Sequence, residues 1–81
     1  MVEPQANRAL AGMDVRRDLG LQLRRLREAH GLSQEELAHR AEIHVTYLSG
    51  LENGKRNPSL LVLARIAEAL NLKISGLFDN I

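Results

Sequence analysis

The chain has 81 residues, with 11 Lys or Arg against 10 Asp or Glu, one Tyr, one Phe and no Cys. This length is enough for one domain with a single core, which must consist of aliphatic side chains. The composition excludes disulfides and thiolate metal sites. We expect a soluble, cytoplasmic protein, because there is neither a membrane-length apolar run nor a secretory signal.

The predicted domain at residues 14–81 follows a flexible arm at residues 1–13. The arm has no clear apolar period, although a short helical turn is expected around Arg8–Ala11. A first helix is predicted from Asp14 to a stop at Gly31, because apolar residues recur at helical spacing. These residues are Val15, Leu19, Leu23 and Leu26.

The second and third helices are predicted to be short. The stretch "SQEE" at 33–36 is a capping box, in which Ser33 caps the second helix and Glu36 reaches back. A tight break at Glu42 and Ile43 leads to a third helix from about His44 to Asn53. The inward positions of both helices are Leu37, Ala38, Ala41, Leu48 and Leu51. Two short helices joined by a tight turn indicate a helix-turn-helix.

Two more helices are predicted after the loop "NGKRNP". Ser59 caps the fourth helix, and Asn71 supplies its left-handed end. The inward residues of this helix are expected to be Leu60, Leu63, Ile66, Ala67 and Leu70. A last short helix is predicted around Ile74–Phe78. The sequence therefore predicts an all-α, compact five-helix domain.

The third helix has an outer face of small or polar residues: Thr46, Ser49, Gly50 and Asn53. A helix in the major groove shows such groups to base edges, since they permit close approach and supply donors and acceptors. Glycine lowers helix stability, so Gly50 indicates that something comes close. Lys55 and Arg56 in the next loop are expected to lie against phosphates, as is Gln34 at the second helix start.

Ordinary structural roles are open alternatives for these residues. Taken alone, the polar face is more typical of a solvated helix, and the neighbouring capped helix, turn and basic loop shift the balance to DNA. Lys55 and Arg56 could alternatively serve only solubility. Gln34 could be an ordinary residue at a helix start, and the arginines of the first helix could form a solvated face. The Tyr47 ring is compatible with packing and with phosphate contact. We expect no metal, no cofactor and no enzyme, because no familiar spacing supports one.

The stretches "GLSQEELA", "LENGKRNPSL" and "IAEAL" together resemble the phage-repressor helix-turn-helix family, the Xre and Cro class, over about residues 19–78. Within it, "HVTYLSGLENGKRNPSL" is most similar to restriction–modification controller proteins, which are small dimeric repressor-activators. The resemblance implies a lambda-repressor-like fold whose second and third helices read DNA. It also implies that Arg27 pairs with Glu52 and holds the third helix at its angle.

The resemblance implies roles for the DNA-facing residues as well. Base reading is implied for Val45, Thr46 and Ser49. DNA-backbone contacts are expected from Ser33, Gln34, Tyr47, Asn53, Lys55 and Arg56.

Glu42 stands where the family often has a turn glycine, and a positive φ there would cost about 1 kcal/mol or more. Val45 stands where controllers often have arginine, so its expected contact is a thymine methyl.

Apolar residues outside the inward faces predict a dimer surface. They are Leu61, Val62, Leu77, Phe78 and Ile81. We expect one of Leu77 and Phe78 to complete the core instead. The leading hypothesis is a homodimeric transcription regulator that binds double-stranded DNA at a (pseudo)palindromic operator, with recognition helices about 34 Å apart. The alternative is a protein-interaction module, such as an antitoxin-like subunit.

Overall fold

The computed structural model describes residues 14–79 and 81. This part of the chain contains four α-helices and one 3₁₀ helix, and no strand. The elements are α1 (Val15–Ala29), α2 (Gln34–Ala41), α3 (Val45–Glu52), α4 (Leu60–Ala69) and the 3₁₀ helix (Ile74–Phe78). The predicted all-α fold is confirmed. The expected arm at residues 1–13, with its helical turn, lies outside the described residues.

The fifth predicted helix is a 3₁₀ helix rather than an α-helix. Within it, the Gly76 N–H donates to the Lys73 carbonyl at 2.9 Å, which is the i to i+3 pattern of a 3₁₀ turn. The segment has five residues, too few for a series of α-helical hydrogen bonds, and its glycine disfavours the α-helix further. The prediction of five helices is therefore corrected to four α-helices and one 3₁₀ helix.

Side-chain caps begin three of the helices. The Asp14 carboxylate accepts a hydrogen bond from the Arg17 N–H at 3.2 Å at the start of α1. The Ser33 hydroxyl accepts from the Glu36 N–H at 3.0 Å, while the Glu36 carboxylate accepts from the Ser33 N–H at 2.8 Å. The predicted capping box is thus confirmed. Ser59 caps α4 through the Val62 N–H at 3.1 Å. These contacts satisfy N–H groups that lack a partner inside the helix.

Left-handed backbone at Glu42 and Asn71, each with φ of 58°, follows α2 and α4. Asn tolerates this conformation, whereas Glu carries the steric cost of its Cβ. At the end of α2, the Glu42 N–H donates to the His39 carbonyl at 3.2 Å and the Ile43 N–H to the Ala38 carbonyl at 3.0 Å. This is the Schellman pattern. It closes the turn between α2 and α3 although the turn lacks glycine.

The core is aliphatic and every element contributes to it. Helix α1 packs against α3, α2 packs against α3 and α4, and the 3₁₀ helix packs against α1 and α4. The largest fully buried side chains are Leu23, Leu37, Leu48, Ile66, Leu70 and Leu77. Burial of each such side chain stabilises the fold by about 1.5–3 kcal/mol. The rest of the domain therefore holds both helices of the helix-turn-helix, since α1 packs against α3 and α4 packs against α2.

Two leucines lie elsewhere than the sequence predicts. Leu60, predicted to point inward, is 70% exposed. It is the first residue of α4, where the Cβ tilts toward the N-terminus and so away from the rest of the helix. Leu77, predicted to lie at the dimer surface, is fully buried because the 3₁₀ helix packs between α1 and α4. The assignment of Leu77 to the dimer surface is therefore wrong. The sequence also led us to expect that either Leu77 or Phe78 completes the core, and Leu77 is the residue that does so.

Helices α1 and α3 are in tight contact at Gly20. A Cβ atom added to Gly20 would lie 2.6 Å from the Glu52 carbonyl oxygen and would also overlap the Leu51 carbonyl oxygen. Both atoms belong to the backbone, which cannot rotate away as a long side chain does. Gly20 therefore sets the distance between α1 and the end of α3.

We expect Gly20→Ala to lower the free energy of unfolding by about 1–3 kcal/mol, because the added methyl overpacks α1 against the α3 backbone. The change opposes the intrinsic preference of helices for Ala over Gly. Gly76→Ala is the matched control, since a Cβ there meets the Leu72 side chain at an ordinary 3.6 Å. Urea unfolding followed by circular dichroism measures both variants. Parent-like stability of Gly20→Ala would contradict the close crossing.

Candidate nucleic-acid interface

The outer face of α3 is accessible. Val45 is 38% exposed, Thr46 and Asn53 are exposed, and Ser49 and Gly50 are half-buried. The opposite side of the helix carries the buried leucines of the core. The residues predicted to read bases therefore share one accessible helix face, and the groups on that face are small, polar or β-branched.

A buried ion pair fixes the end of α3 on α1. Arg27 Nε donates to Glu52 Oε2 at 2.7 Å, and Arg27 Nη2 donates to Glu52 Oε1 at 3.0 Å. The two side chains are 10% and 3% exposed. The hydrogen bond to Glu52 raises the pKa of Arg27 against the opposing effect of burial, so the guanidinium stays charged. Arg27 and Glu52, the pair that the family resemblance implied, therefore form a bidentate contact.

Two further hydrogen bonds extend this pair to α2. Arg27 Nη1 donates to the Leu32 carbonyl at 2.8 Å, just before α2, and Gln34 Nε2 donates to Glu52 Oε1 at 2.9 Å. Within residues 14–79 and 81, no buried side-chain nitrogen or oxygen lacks a partner. Gln34 thus links α2 to α3, while its phosphate contact stays a prediction. The sequence alone does not reveal the link, because Gln34 and Glu52 are 18 positions apart.

Arg56 folds back over the edge of α3. Its guanidinium carbon lies 5.7 Å from the centroid of the Tyr47 ring, within the range of a cation–π contact. A Cβ atom added to Gly50 would lie 3.0 Å from Arg56 Cγ and 3.2 Å from Arg56 Nε. The close approach that Gly50 indicates is therefore made by a side chain of the same molecule. Tyr47 itself is half-buried and packs against the core.

The loop after α3 carries two exposed cations and lies against the start of α1. The Lys55 N–H donates to the Gly50 carbonyl at 2.9 Å, and the side chains of Lys55 and Arg56 are exposed. Gly54 has φ of 72°, and a Cβ there would lie 2.9 Å from Arg17 Cα. The first turn of α1 therefore lies against this loop. This turn carries the exposed Arg17. The sequence pattern assigns Arg17 to an ordinary solvated face, because its contact with Gly54 exists only in the folded chain.

The start of α2 is occupied by its own capping box. The hydrogen bonds from the Ser33 backbone and hydroxyl lower the pKa of the Glu36 carboxyl below its ordinary value. Glu36 is therefore ionised near neutral pH and engages the Ser33 N–H. A phosphate contact of Ser33 would have to compete with Glu36 for both the N–H and the hydroxyl hydrogen of this residue.

A second accessible surface is apolar. Leu61 is 60% exposed, and Phe78 and Ile81 are 36% and 39% exposed. Val62 is half-buried and packs against the core. Leu61 and Phe78 lie on two elements that pack against each other, α4 and the 3₁₀ helix. We refer to Leu61, Val62, Phe78 and Ile81 as the apolar surface.

A capped helix, a tight turn at residues 42–44 and a second helix with an accessible polar face define a helix-turn-helix domain. The helix-turn-helix family matches residues 23–77, which is more than half of the chain. The chain belongs to this family of DNA-binding transcription regulators, of the Xre type, and the resemblance seen in the sequence is confirmed.

Control proteins of restriction–modification systems are among the similar proteins. Control protein C.MunI from a Mycoplasma species is 42% identical over 69 residues, which are 84% of this chain and 93% of that protein. The uncharacterized regulator y4dJ of Sinorhizobium fredii is 43% identical over 60 residues, 74% of this chain and 78% of that protein. The restriction–modification controller protein C.AhdI from Aeromonas hydrophila is 42% identical in sequence. Its crystal structure matches this fold with a TM-score of 0.76, covering 76% of this chain and 94% of that chain.

Neither a membrane-spanning helix nor a metal cluster occurs in the part of the chain that the structure describes. No helix there is long and apolar enough to cross a membrane. No three His, Asp or Glu residues there are grouped so that they could hold a metal ion.

We expect Glu52→Gln to lower the free energy of unfolding by about 3–5 kcal/mol, because the charged Arg27 then stays buried without its counter-charge. Thermal unfolding followed by circular dichroism measures the loss. The control is the double variant Arg27→Met with Glu52→Leu, which removes both charges and is expected to regain a large part of it. A Glu52→Gln protein as stable as the parent would show that the ion pair does not hold α3.

Proposed function

We propose that this chain binds a (pseudo)palindromic operator in double-stranded DNA as a homodimer and regulates transcription there. The outer face of α3 enters the major groove, where Val45, Thr46 and Ser49 contact base edges. The observation that carries the proposal is the accessible, small and polar face of α3, held in place by the buried contact of Arg27 with Glu52.

The size and chemistry of this face support a groove-binding role. A major groove about 12 Å wide admits an α-helix but leaves little space for bulky side chains on its outer face. The hydroxyls of Thr46 and Ser49 offer donors and acceptors, and Val45 offers methyl groups to a thymine. Protein-binding surfaces are dominated instead by large aromatic or Arg anchors, which the outer positions of α3 lack. This favours the regulator over the protein-interaction module.

The surrounding polar groups support contact with phosphates. Lys55, Arg56 and Arg17 are exposed beside α3, and such cations contribute most of the salt-dependent affinity for DNA. Further DNA-backbone contacts are proposed for Ser33, Gln34, Tyr47 and Asn53. These contacts fix the position of the domain on the duplex, whereas the base contacts of α3 set the preferred sequence.

The apolar surface supports association of two copies. Exposed leucine and phenylalanine side chains on α4 and the 3₁₀ helix favour burial against an apolar partner. Pairing through a two-fold axis would bring the same surface of each copy together. The two α3 helices would then face successive major grooves about 34 Å apart.

Selection from a random pool of double-stranded DNA tests this function. The proposal predicts recovery of a two-fold symmetric site with half-site centres about one helical turn apart. Titration of the recovered duplex and a scrambled duplex at two salt concentrations then gives the specificity and the salt slope. Recovery of no preferred sequence would contradict the regulator and favour the interaction module. A single asymmetric half-site would contradict the homodimer.

Two substitutions separate phosphate contacts from base contacts. Arg56→Ala is expected to weaken binding to every duplex and to lower the magnitude of the salt slope by about 1. Thr46→Ala is expected to leave the salt slope unchanged and to alter the preferred base at one position of each half-site. Fluorescence anisotropy at several salt concentrations measures both. Unchanged affinity of Arg56→Ala at every salt concentration would show that the loop does not contact phosphate.

A further inference from the structure

We propose that Gly50 is a positioning residue for DNA binding, because it leaves the path along which Arg56 crosses α3 to reach Tyr47. The inference rests on the proposed DNA-binding function and deepens it. It assigns Gly50 no contact with DNA. Its role is to keep the guanidinium of Arg56 beside the outer face of α3.

The first support is steric. The nearest atoms to a Cβ added at Gly50 all belong to the Arg56 side chain, with Cγ at 3.0 Å, Nε at 3.2 Å and Cδ at 3.7 Å. The first two of these contacts are shorter than an ordinary van der Waals contact, so the arginine would have to give way. Because the Arg56 side chain is long and flexible, it would move before the helix does. A methyl at position 50 would therefore shift the cation by a few tenths of an ångström without unfolding α3.

The second support is the contact that the cation makes at the end of this path. The guanidinium carbon of Arg56 lies 5.7 Å from the Tyr47 ring centroid. Tyr47 is three positions before Gly50, so the two residues are neighbours on the helix surface. The ring provides a face that attracts the cation. Gly50 and Tyr47 together define where the charge is held before DNA arrives, which lowers the entropy lost on binding.

The expected effect distinguishes positioning from helix stability. Ala is a better helix former than Gly, so a purely local role for Gly50 predicts a more stable helix and unchanged DNA affinity. Positioning predicts that Gly50→Ala folds normally and yet binds DNA more weakly. The loss should depend on Arg56, because the displaced group is the arginine.

A double-mutant cycle on Gly50 and Arg56 tests the proposal, with the duplex recovered by selection as the probe. We expect Gly50→Ala to weaken binding about threefold or more in the parent chain and to change it little in Arg56→Ala, a coupling of the size seen for residues in contact. Gly76→Ala is the control for a glycine whose added Cβ meets only ordinary contacts. Circular dichroism verifies that each variant is folded.

The possible results separate this proposal from the proposed function. An equal loss in both backgrounds would show that position 50 acts on DNA independently of Arg56, and an absence of loss would show that the path is irrelevant. Both results overturn the inference while the DNA-binding function stands. If no duplex is selected, the proposed function fails.

NMR of the free protein tests the held arginine without DNA. Tyr47 is the single tyrosine of the chain, so its ring signals are readily assigned. We expect nuclear Overhauser contacts between this ring and the Arg56 side chain in the parent, weakened in Gly50→Ala. Their absence from the parent would overturn the inference whatever DNA binding shows.

Discussion

The contact of Arg27 with Glu52 is the interaction on which the candidate interface depends. It joins the end of α1 to the end of α3, and Gln34 adds the start of α2 to the same carboxylate. A buried ion pair adds little net stability compared with a well-packed apolar pair. It does, however, require a defined geometry, since a displaced partner leaves a charge buried. The orientation of α3 is thus tied to two other helices, α1 and α2, through the carboxylate of Glu52.

Helix α3 carries two different surfaces, because residues three or four positions apart lie on the same side of a helix. Leucines on one side are buried in the core, while small and polar residues on the other side are accessible. Close contacts at three glycines keep the surrounding elements near α3. Gly20 brings α1 against the α3 backbone, Gly54 brings the following loop against α1, and Gly50 leaves space for Arg56. The space left at Gly50 therefore places the Arg56 side chain next to the polar face.

The sequence predicts those features that depend on neighbouring residues. Helix starts at Asp14, Ser33 and Ser59, and the left-handed residue Asn71, follow from local capping and backbone chemistry. The predicted left-handed conformation at Glu42 could be anticipated only through the family resemblance, since Glu does not favour it. Family resemblance also supplied the pairing of Arg27 with Glu52, which no local pattern indicates.

Other features depend on the packed chain and could not be predicted. Periodicity places Leu60 inward, but this first residue of α4 is exposed in the packed chain. Leu77 is apolar in either role, and only the packing of the 3₁₀ helix decides that it is buried. The position of Arg56 over Gly50 and Tyr47 requires the loop to fold back, which the spacing of these residues does not reveal.

The outer face of α3 is the surface that we propose to meet DNA. Backbone amide chemical shifts, recorded by NMR during titration with a selected duplex, test it directly. We expect the largest changes at Val45, Thr46 and Ser49, with smaller changes along the loop to Arg56. Changes concentrated at Leu61 and Phe78 instead, with the α3 amides unmoved, would contradict it.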